Sequence, residues 1–157
     1  MTSLSSQGNS GRHDMDERMR ERIIGEIAHV FACDSELTAD VILVYIFGSF
    51  LKSNQFNDID IGVLVSGARK PYDYFKYGMR IASVIEQSIA PRCEVDLRIL
   101  NGAPVRFLYE VVRSGRLVFA RDEDERSSFE ADVLTQYLDL LPMFEMMDRA
   151  CISPVKG

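Results

Sequence analysis

The stretch VILVYIFGSFLKSNQFNDIDIGVLV, residues 41–65, decides how the rest of the chain is read. It opens with an apolar, β-branched run from Val41 to Phe47, bounded by Asp40 and Gly48, the pattern of a strand buried on both faces. It closes with a second run, Asp60 to Val65, ended by Ser66 and Gly67. That second strand carries an anomaly. Asp58 and Asp60 are two residues apart, so on an extended chain their side chains leave from one face, with Cα atoms only about 7 Å apart. Ile59 then points the other way, into the apolar layer that Ile61, Val63 and Val65 also feed. Burying an unpaired carboxylate is costly, and two this close raise each other's pKa unless a cation lies between them. A hard divalent cation such as Mg²⁺ answers that need, because it takes oxygen ligands and keeps room for phosphate oxygens. The plainer reading is that Asn57 and Asp58 begin the strand from a turn and Asp60 is solvated at a sheet edge.

Two neighbours weigh against the plainer reading. Gly48 and Ser49 end the first strand where the chain turns back toward the carboxylates. A glycine there lets backbone N–H groups approach a phosphate, and a serine at the start of a helical turn adds a hydroxyl donor. Lys52 stands within one further turn and can meet a phosphate as a point charge. A third carboxylate, Asp96, lies in the run CEVDLRIL, residues 93–100. If that strand neighbours the Asp58 strand, the three acids converge on one site, enough for two metal ions about 4 Å apart. Glu94 shares the face of Asp96 but lies nearer the strand start and is the weaker candidate. The alternative for Asp96 is an ion pair with Arg92 or Arg98.

The surrounding chain supplies a scaffold. From Asp16 to about Phe31, apolar residues Met19, Ile23, Ile24, Ile27 and Val30 recur at helical spacing, with charges opposite. After Pro71, the residues Tyr74, Tyr77, Ile81, Val84, Ile85 and Ile89 keep a period near 3.6, which predicts a helix with core-facing aromatics that ends before Pro91. A turn at 101–104 leads into a helix from Pro104 to about Ser114, stopped by Gly115, and Arg116 to Ala120 is a short strand. Asp122 followed by Glu125 resembles a capping box, and the helix it opens is expected to kink or end at Pro142. Helices and strands in this order predict an α/β (α+β) domain: a small mixed β-sheet with helices packed on it.

Composition narrows the functions. The chain has 157 residues, 46% of them hydrophobic, which suits one domain with a real core. Residues 1–13, rich in Ser, Gly and Asn, read as a disordered leader, 14–150 as the folded domain, and 151–157 as a flexible tail. A net charge of −6 argues against a surface that holds nucleic acid through its phosphates. No apolar run approaches a membrane span or a signal core, so a cytoplasmic protein is expected. Cys33, Cys93 and Cys151 are odd in number and fall in no metal-binding spacing, so free thiols are expected.

Strand, Gly-Ser turn, spacer, DxD strand and a third carboxylate on a later strand resemble the polymerase-beta nucleotidyltransferase superfamily over about residues 16–120. Within it, DLRILNGAPVRFLYEVVRSGRLVFARD followed by YLDLLPMFEMM looks like the minimal nucleotidyltransferases that act as antitoxins of HEPN-domain toxins. The resemblance implies transfer of AMP from ATP onto a tyrosine of the partner toxin, silencing its RNase. It implies that Gly48, Ser49 and Lys52 bind the nucleotide and that Asp58, Asp60 and Asp96 are catalytic and ligate two Mg²⁺ ions. Asp96 could also take the proton from the acceptor hydroxyl. The spacer between Ser49 and Asp58 is shorter than is usual in these antitoxins, and Lys52 stands where an arginine is usual.

Two rival functions stay open. A catalytically silent antitoxin would only occlude its toxin, but has no reason to keep a costly acidic cluster. A small-molecule nucleotidyltransferase of the aminoglycoside-modifying kind carries an added helical domain, for which the chain after Ala120 is too short. Met143, Phe144, Met146 and Met147 form an apolar group that either adapts to a partner or folds back on the domain.

Overall fold

The computed structural model describes residues 13–14, 16–33 and 35–152. Five helices and six strands follow in the order β1 (His13–Asp14), α1 (Glu17–Ala32), β2 (Val41–Phe47), α2 (Ser49–Lys52), β3 (Gln55–Phe56), β4 (Asp58–Val65), α3 (Pro71–Ser88), β5 (Glu94–Ile99), α4 (Val105–Ser114), β6 (Arg116–Ala120) and α5 (Glu123–Ile152). Four strands form the central mixed sheet in the order β5-β4-β2-β6, and β1 pairs with β3 in a separate small ribbon. β4 runs antiparallel to β2 and parallel to β5, with Asp60 opposite Phe47 on one side and Asp96 on the other. The expected mixed sheet with packed helices is therefore present.

The sheet separates two apolar layers. On one face Ile59, Ile61, Val63 and Val65 of β4 join Val44 and Ile46 of β2, and meet Ile23, Ile24 and Ile27 of α1 and Tyr77, Ile81 and Ile85 of α3. On the other, Leu43 and Tyr45 pack with Leu100, with Leu108 and Val111 of α4, and with Val133 of α5. The alternation that put Ile59 and Ile61 in the first layer sends Asp58 and Asp60 to the second face, beyond the cover of α4 and α5. Gly78 lets α3 lie close to β5, since a Cβ there would come within 3.2 Å of Leu97.

Three local expectations change. The strand bearing the carboxylates begins at Asp58, two residues before the expected start, because its parallel partner β5 already pairs Asp58 with Glu94. α3 does not bury all its aromatics: Tyr77 is buried, whereas Tyr72 and Phe75 are exposed on its outer side. α5 does not end at Pro142, which lies inside the helix. The carbonyl that proline deprives of a partner belongs to Leu138, whose residue is exposed to water. Beyond it the helix is held to α4, where Arg106 pairs with Asp148 and lies over the Phe144 ring, 5.1 Å from its centroid. The segment after Pro142 thus packs back through Phe144, while Met143, Met146 and Met147 remain exposed. At the start of α5, Asp122 accepts from the Glu125 N–H at 3.2 Å as expected of a cap, but the Glu125 carboxylate turns to Arg121 and leaves the reciprocal bond unmade.

The leader expected over residues 1–13 lies outside the described residues except for His13, as does the tail beyond Ile152. Cys33 and Cys93 are free thiols, the first exposed and the second buried; the side chain of Cys151 lies outside the described residues. No described helix is long and apolar enough to cross a membrane.

Candidate active site

Parallel pairing of β4 with β5 sets Asp60 beside Asp96, and the period of two adds Asp58 on the same face. One carboxylate oxygen from each of Asp58, Asp60 and Asp96 lies within 4.8 Å of the others. Asp58 and Asp60 are half-buried, and the Asp96 side chain is 42% exposed. Burial, then the charges of Asp58 and Asp96 and a hydrogen bond with Asp96, push the Asp60 carboxyl up from 3.8 to about 6; Arg98 pulls it partly back. A cluster of three carboxyl groups whose central member resists ionisation is matched to a hard cation, since it offers oxygen donors only and gains most from added positive charge.

Gly48 closes the site from the end of β2. Its backbone has φ +83° and ψ −160°, a conformation open to glycine alone, and a Cβ there would lie 2.2 Å from Asp60 Oδ2. The glycine thus serves the carboxylate as well as the turn. Ser49 follows as the first residue of α2 and is exposed, with its hydroxyl free to reach a ligand. Lys52, the last residue of α2, is exposed and makes no ion pair among the described residues. The short spacer is accommodated by folding it: α2 spends four residues in a turn, and Gln55–Phe56 pair with His13–Asp14 before Asp58 begins β4.

Sequence reasoning treated Arg98 only as an alternative partner for Asp96. It is both a neighbour of the site and part of its face, with Nη2 3.8 Å from Asp96 Oδ2 and its guanidinium 5.5 Å from the Phe107 ring centroid. The signal was present: Asp96 and Arg98 are two apart on a strand and share a face. Glu94, opposite Asp58 in register, is exposed and is not among the three converging acids. A groove of 690 Å³ between α3 and β5 has Asp96 among its lining residues, but Val95, Leu97 and Ile99 turn it to the α1 and α3 side of the sheet. Its lining is mostly apolar, and it meets the acidic site at Asp96.

Carboxylates gathered beside a glycine–serine turn at the end of a mixed sheet form an arrangement suited to phosphoryl transfer. The family model described as Polymerase beta, Nucleotidyltransferase matches residues 27–124, more than half of the chain, and the chain belongs to that family. Comparison with curated proteins finds no match. Among solved structures, a tri-AMPylated Shewanella oneidensis HEPN toxin in complex with MNT antitoxin is similar at 19% identity and TM-score 0.62, covering 85% of this chain and 98% of that one. A toxin–antitoxin structure with AMP-PNP is similar at 21% identity and TM-score 0.63, covering 82% and 98%. The toxin–antitoxin MntA-HepT is similar at 19% identity and TM-score 0.56, covering 87% and 99%. At these identities the likeness is one of fold.

Proposed function

We propose that this chain is an antitoxin nucleotidyltransferase that moves AMP from ATP onto a tyrosine hydroxyl of a HEPN-domain toxin. The observation that carries the reading is the convergence of Asp58, Asp60 and Asp96 within 4.8 Å beside Gly48 and Ser49. Its support from outside the chain is that similar folds occur in a complex with a tri-AMPylated HEPN toxin and in one with AMP-PNP.

Asp58, Asp60 and Asp96 would hold two Mg²⁺ ions, which supply charge neutralisation at the triphosphate and polarise the α-phosphoryl group. The residues of the chain divide the remaining work. The turn at Gly48 and Ser49 offers backbone N–H groups and a hydroxyl to the phosphates, and Lys52 offers a mobile cation from the end of α2. Asp96, the carboxylate with its side chain open to solvent, is placed to accept the proton of the incoming hydroxyl. Arg98 shares that face and balances charge while the carboxylates are ionised. The acidic site is not walled in by an added domain among the described residues, which suits an acceptor side chain presented by another protein.

The test is to incubate the chain with ATP, Mg²⁺ and a candidate HEPN toxin, then weigh the toxin intact. A gain of about 329 Da per AMP is expected, lost in Asp58→Ala/Asp60→Ala. No gain with the wild type, combined with toxin inhibition that survives the double substitution, would establish an occluding antitoxin instead. Label from ATP appearing on a small amine or alcohol would point to a small-molecule transferase.

A further inference from the structure

The apolar stripe of α1 contains one residue that does not belong to a stripe. Arg20 precedes Ile23, Ile24, Ile27 and Phe31 at helical spacing and is only 7% exposed. Its guanidinium is spent on the turn that follows Gly48. Nε donates to the Phe50 carbonyl at 2.8 Å, and Nη2 donates to the Ser53 carbonyl at 2.9 Å and to Asn54 Oδ1 at 3.4 Å. Nη1 faces the Glu17 carboxylate, which orients the group from its own helix.

Those carbonyls need a partner because α2 is too short to supply one. A four-residue helix leaves its last carbonyls without intrahelical donors. Here the Gly48 and Ser49 carbonyls accept from the N–H groups of Leu51 and Ser53, and Arg20 reaches the Phe50 and Ser53 carbonyls instead. The planar fork spans both at once, which a lysine does not do. The turn is further seated by Phe50, fully buried with its ring 5.0 Å from that of Phe56. The turn leaves β2 at Gly48, whose missing side chain lets the Asp60 carboxylate lie close, and its far end is held by Arg20.

We propose that Arg20 is a positioning residue for the nucleotide-binding turn: it fixes residues 49–54 from beneath, and so sets the reach of Ser49 and Lys52 toward the triphosphate. The residue lies before position 27, outside the stretch matched by the family model. The kinetic side of this proposal rests on the transferase reading above; the conformational side does not.

Three variants separate the two. Arg20→Met keeps an apolar stem and removes the donors, Arg20→Lys keeps charge and one donor group, and Ile85→Ala disturbs the core away from the turn. Amide hydrogen exchange is followed across the chain, and KM for ATP and kcat are measured well below each variant's unfolding midpoint. Arg20→Met is expected to speed exchange at residues 50–56 while leaving β2 and β4 protected. It should raise KM for ATP about tenfold or more with a smaller change in kcat, as expected when a ground-state contact is loosened. Arg20→Lys should fall between, and carries the comparison if Arg20→Met does not fold. Ile85→Ala should lower the midpoint with KM unchanged. Unchanged exchange at 50–56, or a loss spread equally through β2 and β4, overturns the proposal. So does an unchanged KM in an Arg20 variant of an active protein. If the wild type transfers no AMP, the transferase reading falls, and the exchange pattern alone decides the role of Arg20.

Discussion

At Gly48 the backbone demands φ +83° and the Asp60 carboxylate fills the space of a side chain. Gly48→Ala is therefore expected to destabilise the fold by about 1–3 kcal/mol from backbone strain alone, and to displace Asp60. Denaturant unfolding checks the first effect, and loss of AMP transfer with retained secondary structure checks the second. Asp60 makes the opposite trade. Its carboxyl titrates near 6 in the fold against 3.8 ordinarily, so across that interval the folded chain keeps a proton that the unfolded chain has released. Its contribution to stability then falls as pH rises from about 4 to 6 and stays low above. In metal-free buffer Asp60→Asn should match the wild type in midpoint below pH 4, exceed it increasingly up to about pH 6 and hold a constant margin above, while abolishing activity. A midpoint difference independent of pH would contradict this. The carboxylates were legible because a strand's period is rigid and a paired acid within an apolar run needs a reason. Arg20 was not, because one arginine on a helix is normally solvated; its place on the apolar stripe acquires meaning only once the turn it binds, some thirty residues on, is seen to lie against its guanidinium.

Among the elements, those whose signals are local came through the sequence closely. β2 and β6 have the expected bounds, and α1, α3 and α4 begin and end within a residue or two of their predicted limits. Pro142 left two outcomes open, a kink or an end, and the end does not occur: α5 continues through it, the residue whose carbonyl loses its donor is the exposed Leu138, and Arg106 holds Asp148 on the far side. The β1–β3 ribbon was not legible, as two-residue strands leave no periodicity to read. α5 is joined to the sheet by a polar contact inside an apolar layer: the buried Tyr45 hydroxyl donates to Glu130 Oε2 at 2.6 Å. Burial, with the Glu130 carboxylate beside it, holds the phenol far above its usual range, so it remains a donor at any working pH. Tyr45→Phe should cost about 1 kcal/mol or somewhat more. Arg126, which also pairs with Glu130, keeps that carboxylate from being stranded. The loss should show as faster amide exchange in the first half of α5 and leave β4 and β5 unaffected.

For the molecule as a whole, topology was the part that periodicity could not supply. The sequence marks strands, but only the pairing of β4 with β5 in parallel brings Asp96 to Asp60 rather than to a distant edge. The two layers that the sheet divides are also unequal. The α1 and α3 side is packed from fully buried isoleucines, whereas α4 and α5 contribute Leu108, Val111 and Val133 and leave Leu134, Leu138 and Leu140 exposed. Partial opening should begin where least apolar surface is lost, so α5 is expected to detach before any other helix. Limited proteolysis under native conditions should cut first within α5 and yield a shortened chain that retains the sheet with α1 and α3. The carboxylates stand on β4 and β5, in the sheet that stays, and the glycine–serine turn is anchored to the same firmer half through Arg20 and the buried Phe50. Carboxylates and ligand seat are thus carried together by the longer-lived part of the domain, so a chain clipped in α5 should keep the site assembled.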